Sequence, residues 1–186
     1  MSKVLVPLAK GFEEIEAVSI IDVLRRADIE VIVASLDANK AVEGANNITI
    51  VSNISIVEVD SSSLDMIVLP GGIEGTYKLA EDENVQRILK EMDSANKNIG
   101  AICAAPFALN KAGVLKQNYT CYPSFEENIR LDGYNGDKAM VVEDGNVMTS
   151  RGPATAICFA LQIVKKLKGE EMYEALKAGL LAEFCE

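Results

Sequence analysis

The chain has 186 residues, 49% of them hydrophobic and 25% charged, with a net charge of −10 at pH 7. This length suits one domain with a sizeable core, and this balance excludes a disordered chain. The negative charge disfavours nucleic acid and anionic membranes as partners, because both attract basic surfaces. No apolar run is long enough to cross a membrane, and the opening stretch MSKVLVPLAKGFEE does not have the pattern of a signal peptide.

Hydrophobic periodicity predicts strands that alternate with helices along most of the chain. In chain order, the predicted elements are a strand at 3–9, a helix at 13–27, a strand at 30–35, a hairpin at 41–51, a strand at 65–69, a helix at 84–92, a strand at 98–102, a helix at 105–112, a hairpin at 139–149, and helices at 154–167 and 170–181. This alternation predicts a single α/β domain over residues 1–186, with a doubly wound, mostly parallel sheet and helices on both of its faces.

Four cysteines and the absence of histidine limit the metal and redox chemistry of the chain. The cysteines stand at positions 103, 121, 158 and 185 without CxxC spacing, and no histidine is present to complete a zinc site. We therefore expect four free thiols in a reducing compartment, the cytoplasm, and neither a metal ion nor another cofactor.

Cys103 lies in the stretch GAICAAP, where a predicted strand turns into a predicted helix. In doubly wound folds, sites form where strands end and helices begin. A sharp strand-to-helix elbow exposes nucleophiles in hydrolases, and a helix N-terminus lowers the pKa of a thiol. This position predicts that Cys103 is the only cysteine with a lowered pKa, which is one interpretation of the stretch. The alternative is an inert thiol that fills the core.

Two further stretches at the same edge of the sheet also have two interpretations. Glu13, Glu14 and Glu16 open the first helix, where acidic residues offset the helix dipole and stay solvated. That explanation suffices for Glu13 and Glu14, whereas the facing of Glu16 is left open. The PGG stretch at 70–72 is either a plain turn or a part of the site.

Taken together, the blocks AKGFEEIE, VLPGG, AICAAP and TSRGPAT resemble, in order and spacing, the ThiJ/PfpI superfamily. The resemblance covers essentially the whole chain and points to the branch of the Parkinson-disease protein and its small bacterial relatives. It implies a flavodoxin-like domain of the class I glutamine-amidotransferase type. It also implies a homodimer and a role in protection from oxidative stress.

The resemblance implies roles for four residues of the pocket. Cys103 matches the nucleophile of the family's elbow, and Glu16 matches its partner acid. Gly72 and Ala104 match the N–H donors of an oxyanion-hole-like pocket. An ionised Glu16 beside a thiolate would raise the pKa of both groups, whereas a protonated Glu16 would donate a hydrogen bond to the sulfur. A proton held on the acid can therefore replace the missing histidine.

The resemblance also covers the rim of the pocket, where this chain departs from some relatives. Arg151 and Pro153 match a segment beside the pocket near the dimer interface, and Arg26 matches an interfacial arginine. Tyr122 stands where some relatives have a histidine, which rules out a Cys–His peptidase mechanism. Asn46 stands where others have an arginine, so an anionic ligand bound there would lose a charge partner.

The resemblance implies two classes of function. In the first, the chain is a deglycase or glyoxalase: Cys103 adds to glyoxal, methylglyoxal or their early protein adducts, and Glu16 moves the proton. In the second, it is a redox-sensing chaperone whose Cys103 is oxidised to a sulfinate. The expected partners are a second copy of the chain and either small dicarbonyls or glycated and oxidised client proteins.

Overall fold

The computed structural model of the protein describes residues 1–185, and its strands build one large sheet and one hairpin. The strands are β1 (Lys3–Leu8), β2 (Glu30–Ser35), β3 (Ala41–Glu43), β4 (Thr49–Val51), β5 (Ile54–Ser55), β6 (Met66–Leu69), β7 (Asn98–Ile102), β8 (Val141–Asp144) and β9 (Val147–Ser150). The large sheet has the order β5-β2-β1-β6-β7-β9-β8, and only its β8–β9 pair is antiparallel. The carboxyl ends of β1, β6 and β7 therefore meet at one edge.

Helices pack on both faces of this sheet. They are α1 (Glu14–Arg26), α2 (Ile73–Glu81), α3 (Glu83–Ser94), α4 (Pro106–Ala112), α5 (Ala156–Lys168) and α6 (Glu170–Gly179). Side chains alternate along β1, so that Val4 and Val6 pack with α1, α5 and α6, whereas Leu5 packs with α2, α3 and α4. The predicted doubly wound α/β fold is therefore confirmed.

The predicted elements match the structure to within a few residues, with two omissions. Helix α2 begins directly after the PGG stretch, with Gly72 as its N-cap. Its sequence includes Gly75 and Thr76, which are poor helix formers, and it is only nine residues long. The omitted strand, β5, has two residues. The hairpin predicted at 139–149 is present, and its second strand, β9, extends the main sheet by pairing in parallel with β7.

The prediction of four free thiols is wrong for two of the cysteines. Cys158 and Cys185 form a disulfide, although their separation of 27 residues carries no sequence signature of pairing. Helix α6 folds back on α5 and brings the two Cα atoms to 5.1 Å, within the range that a disulfide spans. Cys103 and Cys121 are free, as predicted. The cytoplasmic location was inferred in part from four free thiols, and the disulfide removes that argument. The location stays a prediction.

Within residues 1–185, none of the helices combines the length and the apolar character that a membrane crossing needs.

Candidate active site around Cys103

Cys103 lies on the elbow between β7 and α4, as predicted. Its backbone has φ +64°, in the left-handed region that non-glycine residues rarely adopt. Two hydrogen bonds hold this conformation: the N–H of Cys103 donates to the carbonyl of Ser150 at 3.0 Å, and the N–H of Tyr122 donates to the carbonyl of Cys103 at 2.9 Å. The elbow is thus held from two other segments of the chain, which keep the thiol at the edge of the sheet.

Glu16 meets Cys103 across Gly71. Its side chain is fully buried in the first turn of α1, and the N–H of Gly71 donates to Oε2 at 2.7 Å. A Cβ built on Gly71 would lie 2.6 Å from Cβ of Cys103 and 2.7 Å from Oε2 of Glu16. Only a glycine therefore lets the acid and the thiol approach each other here. Oε1 of Glu16 has no hydrogen-bond partner among residues 1–185, which favours the neutral acid over the carboxylate.

Two backbone N–H groups converge on the Cys103 sulfur. They belong to Ala104 and Gly72, the two donors that the family resemblance implies. Both form hydrogen bonds to the sulfur that lower the pKa of the thiol. Gly72 has φ +92°, and a Cβ on it would lie 2.3 Å from the carbonyl oxygen of Gly11. The structure thus brings together all four predicted pocket residues. Their catalytic roles stay predictions.

The prediction that Cys103 has a lowered pKa is wrong. Burial and the charge of the adjacent Glu16 raise the pKa of this thiol and outweigh the two N–H groups. Burial likewise raises the pKa of Glu16 to about 7, against the lowering effect of the Gly71 N–H. Because each group opposes ionisation of the other, the pair carries a single negative charge above neutral pH. A thiolate forms in this pair only when Glu16 holds the proton.

The Cys103 thiol opens into a cleft of about 250 Å³. The cleft is lined by Glu13, Gly72, Ile73, Cys103, Ala104, Tyr122, Phe125 and Pro153. Tyr122, half exposed, lies on the rim of this cleft. Arg151 lies in an adjoining depression that shares Tyr122 and Pro153 with the cleft. Arg26 is not part of this site: it lies at the end of α1 in an exposed ion pair with Asp22 at 2.7 Å.

Of the two acids predicted to be solvated at the start of α1, Glu14 is instead buried, whereas Glu13 is half-buried. Glu13 caps α1, since its carboxylate accepts a hydrogen bond from the N–H of Glu16 at 2.8 Å, and it also lines the cleft. Glu14 is buried and accepts hydrogen bonds from the N–H and side chain of Asn46 at 2.5 and 2.9 Å. Burial opposes ionisation of Glu14, but these bonds prevail and lower its pKa. Asn46 therefore fixes the β3–β4 turn to α1.

Gly71, Ile73 and Phe125 are the site residues that sequence reasoning did not single out. The PGG stretch was a signal for Gly71, but a glycine-rich turn alone does not reveal which backbone group donates to which side chain. Across residues 1–185 there is no cluster of three or more Cys, Asp or Glu side chains suited to a metal ion.

Comparison with known proteins places these features in a family. The sequence model of the DJ-1/PfpI family matches residues 2–166 of the chain. The chain is 41% identical to protein dj-1beta of Drosophila melanogaster over 186 residues, covering 99% of this chain and all of the relative. The crystal structure of Drosophila melanogaster DJ-1beta superposes with a TM-score of 0.93 at 42% identity, covering 97% and 98% of the two chains.

Two other similar proteins bear on function. The chain is 35% identical to the glutathione-independent glyoxalase DJR-1.2 of Caenorhabditis elegans over 164 residues, covering 88% of this chain and 87% of the relative. A solved structure described as oxidized DJ-1 of Toxoplasma gondii superposes with a TM-score of 0.92 at 36% identity, covering 97% and 98% of the two chains.

Proposed function

Since the chain belongs to the DJ-1/PfpI family, we propose that it is a cysteine-dependent enzyme acting on reactive dicarbonyls such as methylglyoxal, or on their early adducts with proteins. The observation that carries the proposal is the convergence of Glu16 and the N–H groups of Gly72 and Ala104 on one thiol at the base of a cleft. A similar nematode protein is named a glutathione-independent glyoxalase, which supports this class of substrate.

The Glu16–Cys103 pair supplies the nucleophile. Transfer of the thiol proton to Glu16 forms a thiolate, which adds to the aldehyde carbon of the dicarbonyl. The N–H groups of Gly72 and Ala104 hold the oxygen that becomes negatively charged in this step. The protonated carboxyl of Glu16 then returns a proton to that oxygen, giving a hemithioacetal.

Glu16 is also placed to complete the reaction. As a carboxylate, it takes the proton from the hemithioacetal carbon and delivers it to the neighbouring carbon, which converts the adduct to a thioester. One water hydrolyses the thioester, releases a 2-hydroxy acid and restores the thiol. A Cys–His peptidase mechanism is not open to this chain, because it contains no histidine.

Product formation from methylglyoxal tests the proposal. We expect the full chain to consume methylglyoxal and release lactate, and Cys103→Ser and Glu16→Gln to abolish turnover. Cys121→Ser is the matched control: this thiol is fully buried and does not line the cleft, so turnover should persist. Turnover that survives Cys103→Ser, or wild-type lactate formation at the rate of buffer alone, would contradict the proposal.

A redox-sensing chaperone is the second candidate function. It is supported by the similar Toxoplasma gondii protein whose structure is described as oxidized, and by the buried carboxyl of Glu16, which can donate a hydrogen bond to a Cys103 sulfinate. Peroxide treatment separates the two functions. The chaperone requires that oxidised wild type, but not Cys103→Ser, protects a client protein from aggregation; protection by both variants alike would refute it.

We also propose a homodimer built on α1 and the β3–β4 hairpin. Four apolar side chains there are 48–71% exposed: Ile15, Val18, Ile48 and Val51. Exposed apolar patches of this kind are typical of interfaces, and twofold symmetry is the commonest assembly of soluble chains. Sedimentation should therefore give twice the chain mass of 20.0 kDa. A species of the chain mass at micromolar concentration would contradict this proposal.

A further inference from the structure

The Cys158–Cys185 disulfide lies in a part of the chain that the proposed chemistry does not use. Cys158 is in the first turn of α5, and Cys185 ends the segment 180–185 that follows α6. Both cysteines are almost fully buried, with 3% and 1% of their surface exposed. The bond therefore attaches segment 180–185 to the helix that packs against α1 and the main sheet.

Segment 180–185 has few other strong anchors. Ala182 is its one other fully buried side chain, and alanine buries little area. Leu181 and Phe184 are 82% and 54% exposed, so their apolar surface contributes little to packing. Leu181 also has φ +55°, a conformation that disfavours a branched side chain. Leu180, half-buried against the core, holds the start of the segment, so the disulfide is the main restraint on residues 181–185.

Cys158 also lines a cleft between the β8–β9 hairpin and α5. The cleft has a volume of about 270 Å³, and its walls include Lys138, Glu143, Met148 and Gln162. Binding sites for drug-sized ligands are roughly 300–1,000 Å³. The cleft therefore suits a low-molecular-weight thiol better than the cysteine of another protein, and Cys158 is the cysteine among the residues that line it.

We propose that the Cys158–Cys185 disulfide is a redox clasp that low-molecular-weight thiols of the glutathione class open through this cleft. The thiolate of the small molecule attacks Sγ of Cys158, the bond to Cys185 breaks, and Cys185 leaves as a thiolate that takes up a proton. A second small thiol attacks the mixed disulfide on Cys158. The sum is two small thiols oxidised to one disulfide, while the clasp gains two protons and two electrons.

Opening the clasp has a defined structural consequence. Segment 180–185 loses its covalent restraint, while its backbone hydrogen bonds, such as that from the N–H of Ala182 to the carbonyl of Lys177 at 3.0 Å, remain the main hold. We expect the segment to open locally and to expose Leu181 and Phe184 completely, while the sheet and the Cys103 cleft stay folded.

Intact-mass spectrometry of the full chain tests the chemical step. The native protein is equilibrated in graded ratios of reduced to oxidised glutathione, quenched with acid, denatured and alkylated. The closed clasp leaves two alkylated thiols and the open clasp four, because two of the four cysteines are free. We expect a glutathione adduct on Cys158 to precede the open form. An adduct on Cys185 instead, or a disulfide that glutathione reduces only after unfolding, overturns the proposal.

Hydrogen exchange of segment 180–185 tests the structural step. Reduction should speed exchange there by about tenfold or more and leave β1 and β7 unchanged. Cys158→Ser and Cys185→Ser should each show the fast exchange without a reductant, whereas Cys121→Ser should behave as the wild type. The reduced wild-type protein gives the same measurement if a variant does not fold. Equal exchange in the oxidised and reduced proteins overturns the proposal.

Discussion

The pH dependence of stability should reveal the buried acid at Glu16. Its pKa is about 7 in the folded protein, against an ordinary value of 4.5. The folded state therefore binds more protons than the unfolded state between these values, and the free energy of unfolding falls as the pH rises. The stability is fully present below the pKa of Glu16 in the unfolded protein, and it is fully lost above the pKa of Glu16 in the folded protein. At 1.36 kcal/mol per pKa unit, the loss amounts to about 2–3 kcal/mol between roughly pH 5 and pH 8.

Glu16→Gln isolates this contribution, because glutamine has a similar shape and does not titrate. Urea unfolding of the wild type and the variant is measured across this pH range, and the two free-energy curves are subtracted. We expect the variant to lose about 2–3 kcal/mol less than the wild type as the pH rises. Glu127→Gln, at an exposed position, is the control and should parallel the wild type. If Glu16→Gln also runs parallel, the pKa of Glu16 does not differ between the folded and unfolded states, and the conclusion that burial keeps a proton on this acid is wrong.

Three other substitutions probe the site and its support. Glu16→Leu should slow alkylation of Cys103 by iodoacetamide at pH 6 by about 10–100-fold, because below its pKa of about 7 the neutral Glu16 carboxyl donates to the thiolate a hydrogen bond worth about 1.5–3 kcal/mol. Gly71→Ala should lower the free energy of unfolding by about 1–3 kcal/mol and abolish turnover, since its Cβ would lie 2.6 Å from Cβ of Cys103. Asn46→Ala should cost about 1–3 kcal/mol at neutral pH and less in acid, where Glu14 is protonated and needs fewer donors.

Matched controls separate these effects from general damage. Gly179→Ala places a Cβ with no heavy atom within 4 Å and should leave stability and turnover unchanged. Asn47→Gly, at φ +64° in the turn that Asn46 anchors, should be tolerated. Alkylation should modify Cys103 before Cys121, because Cys103 lines the cleft whereas Cys121 is fully buried and lies outside it. Alkylation of Glu16→Leu at the wild-type rate would mean that the N–H groups alone stabilise the thiolate.

The sequence predicts the fold and the residues of the site better than their electrostatics. Apolar runs at strand and helix spacing reveal each long element, because burial imposes those spacings directly. The ends of the parallel strands then place Cys103 and Glu16 at the same edge. The pKa of Cys103 was predicted in the wrong direction, because burial depth and the nearness of a charge depend on packing that spacing does not encode. The solvated state predicted for Glu14 and the free thiol predicted for Cys158 were wrong for the same reason.

The backbone contact between Gly72 and the loop at Gly11 determines where this site can be redesigned. The carbonyl of Gly11 would lie 2.3 Å from any Cβ at position 72, and the N–H of Glu13 would lie 2.7 Å from it. No side chain lies between the loop 11–13, which precedes Glu16, and the turn that carries the N–H of Gly72. A substitution that moves one of these two segments therefore displaces the other. Directed evolution of substrate range should therefore find useful variants at Ile73 and Tyr122, which are 66% and 50% exposed. The glycine positions should return only inactive clones.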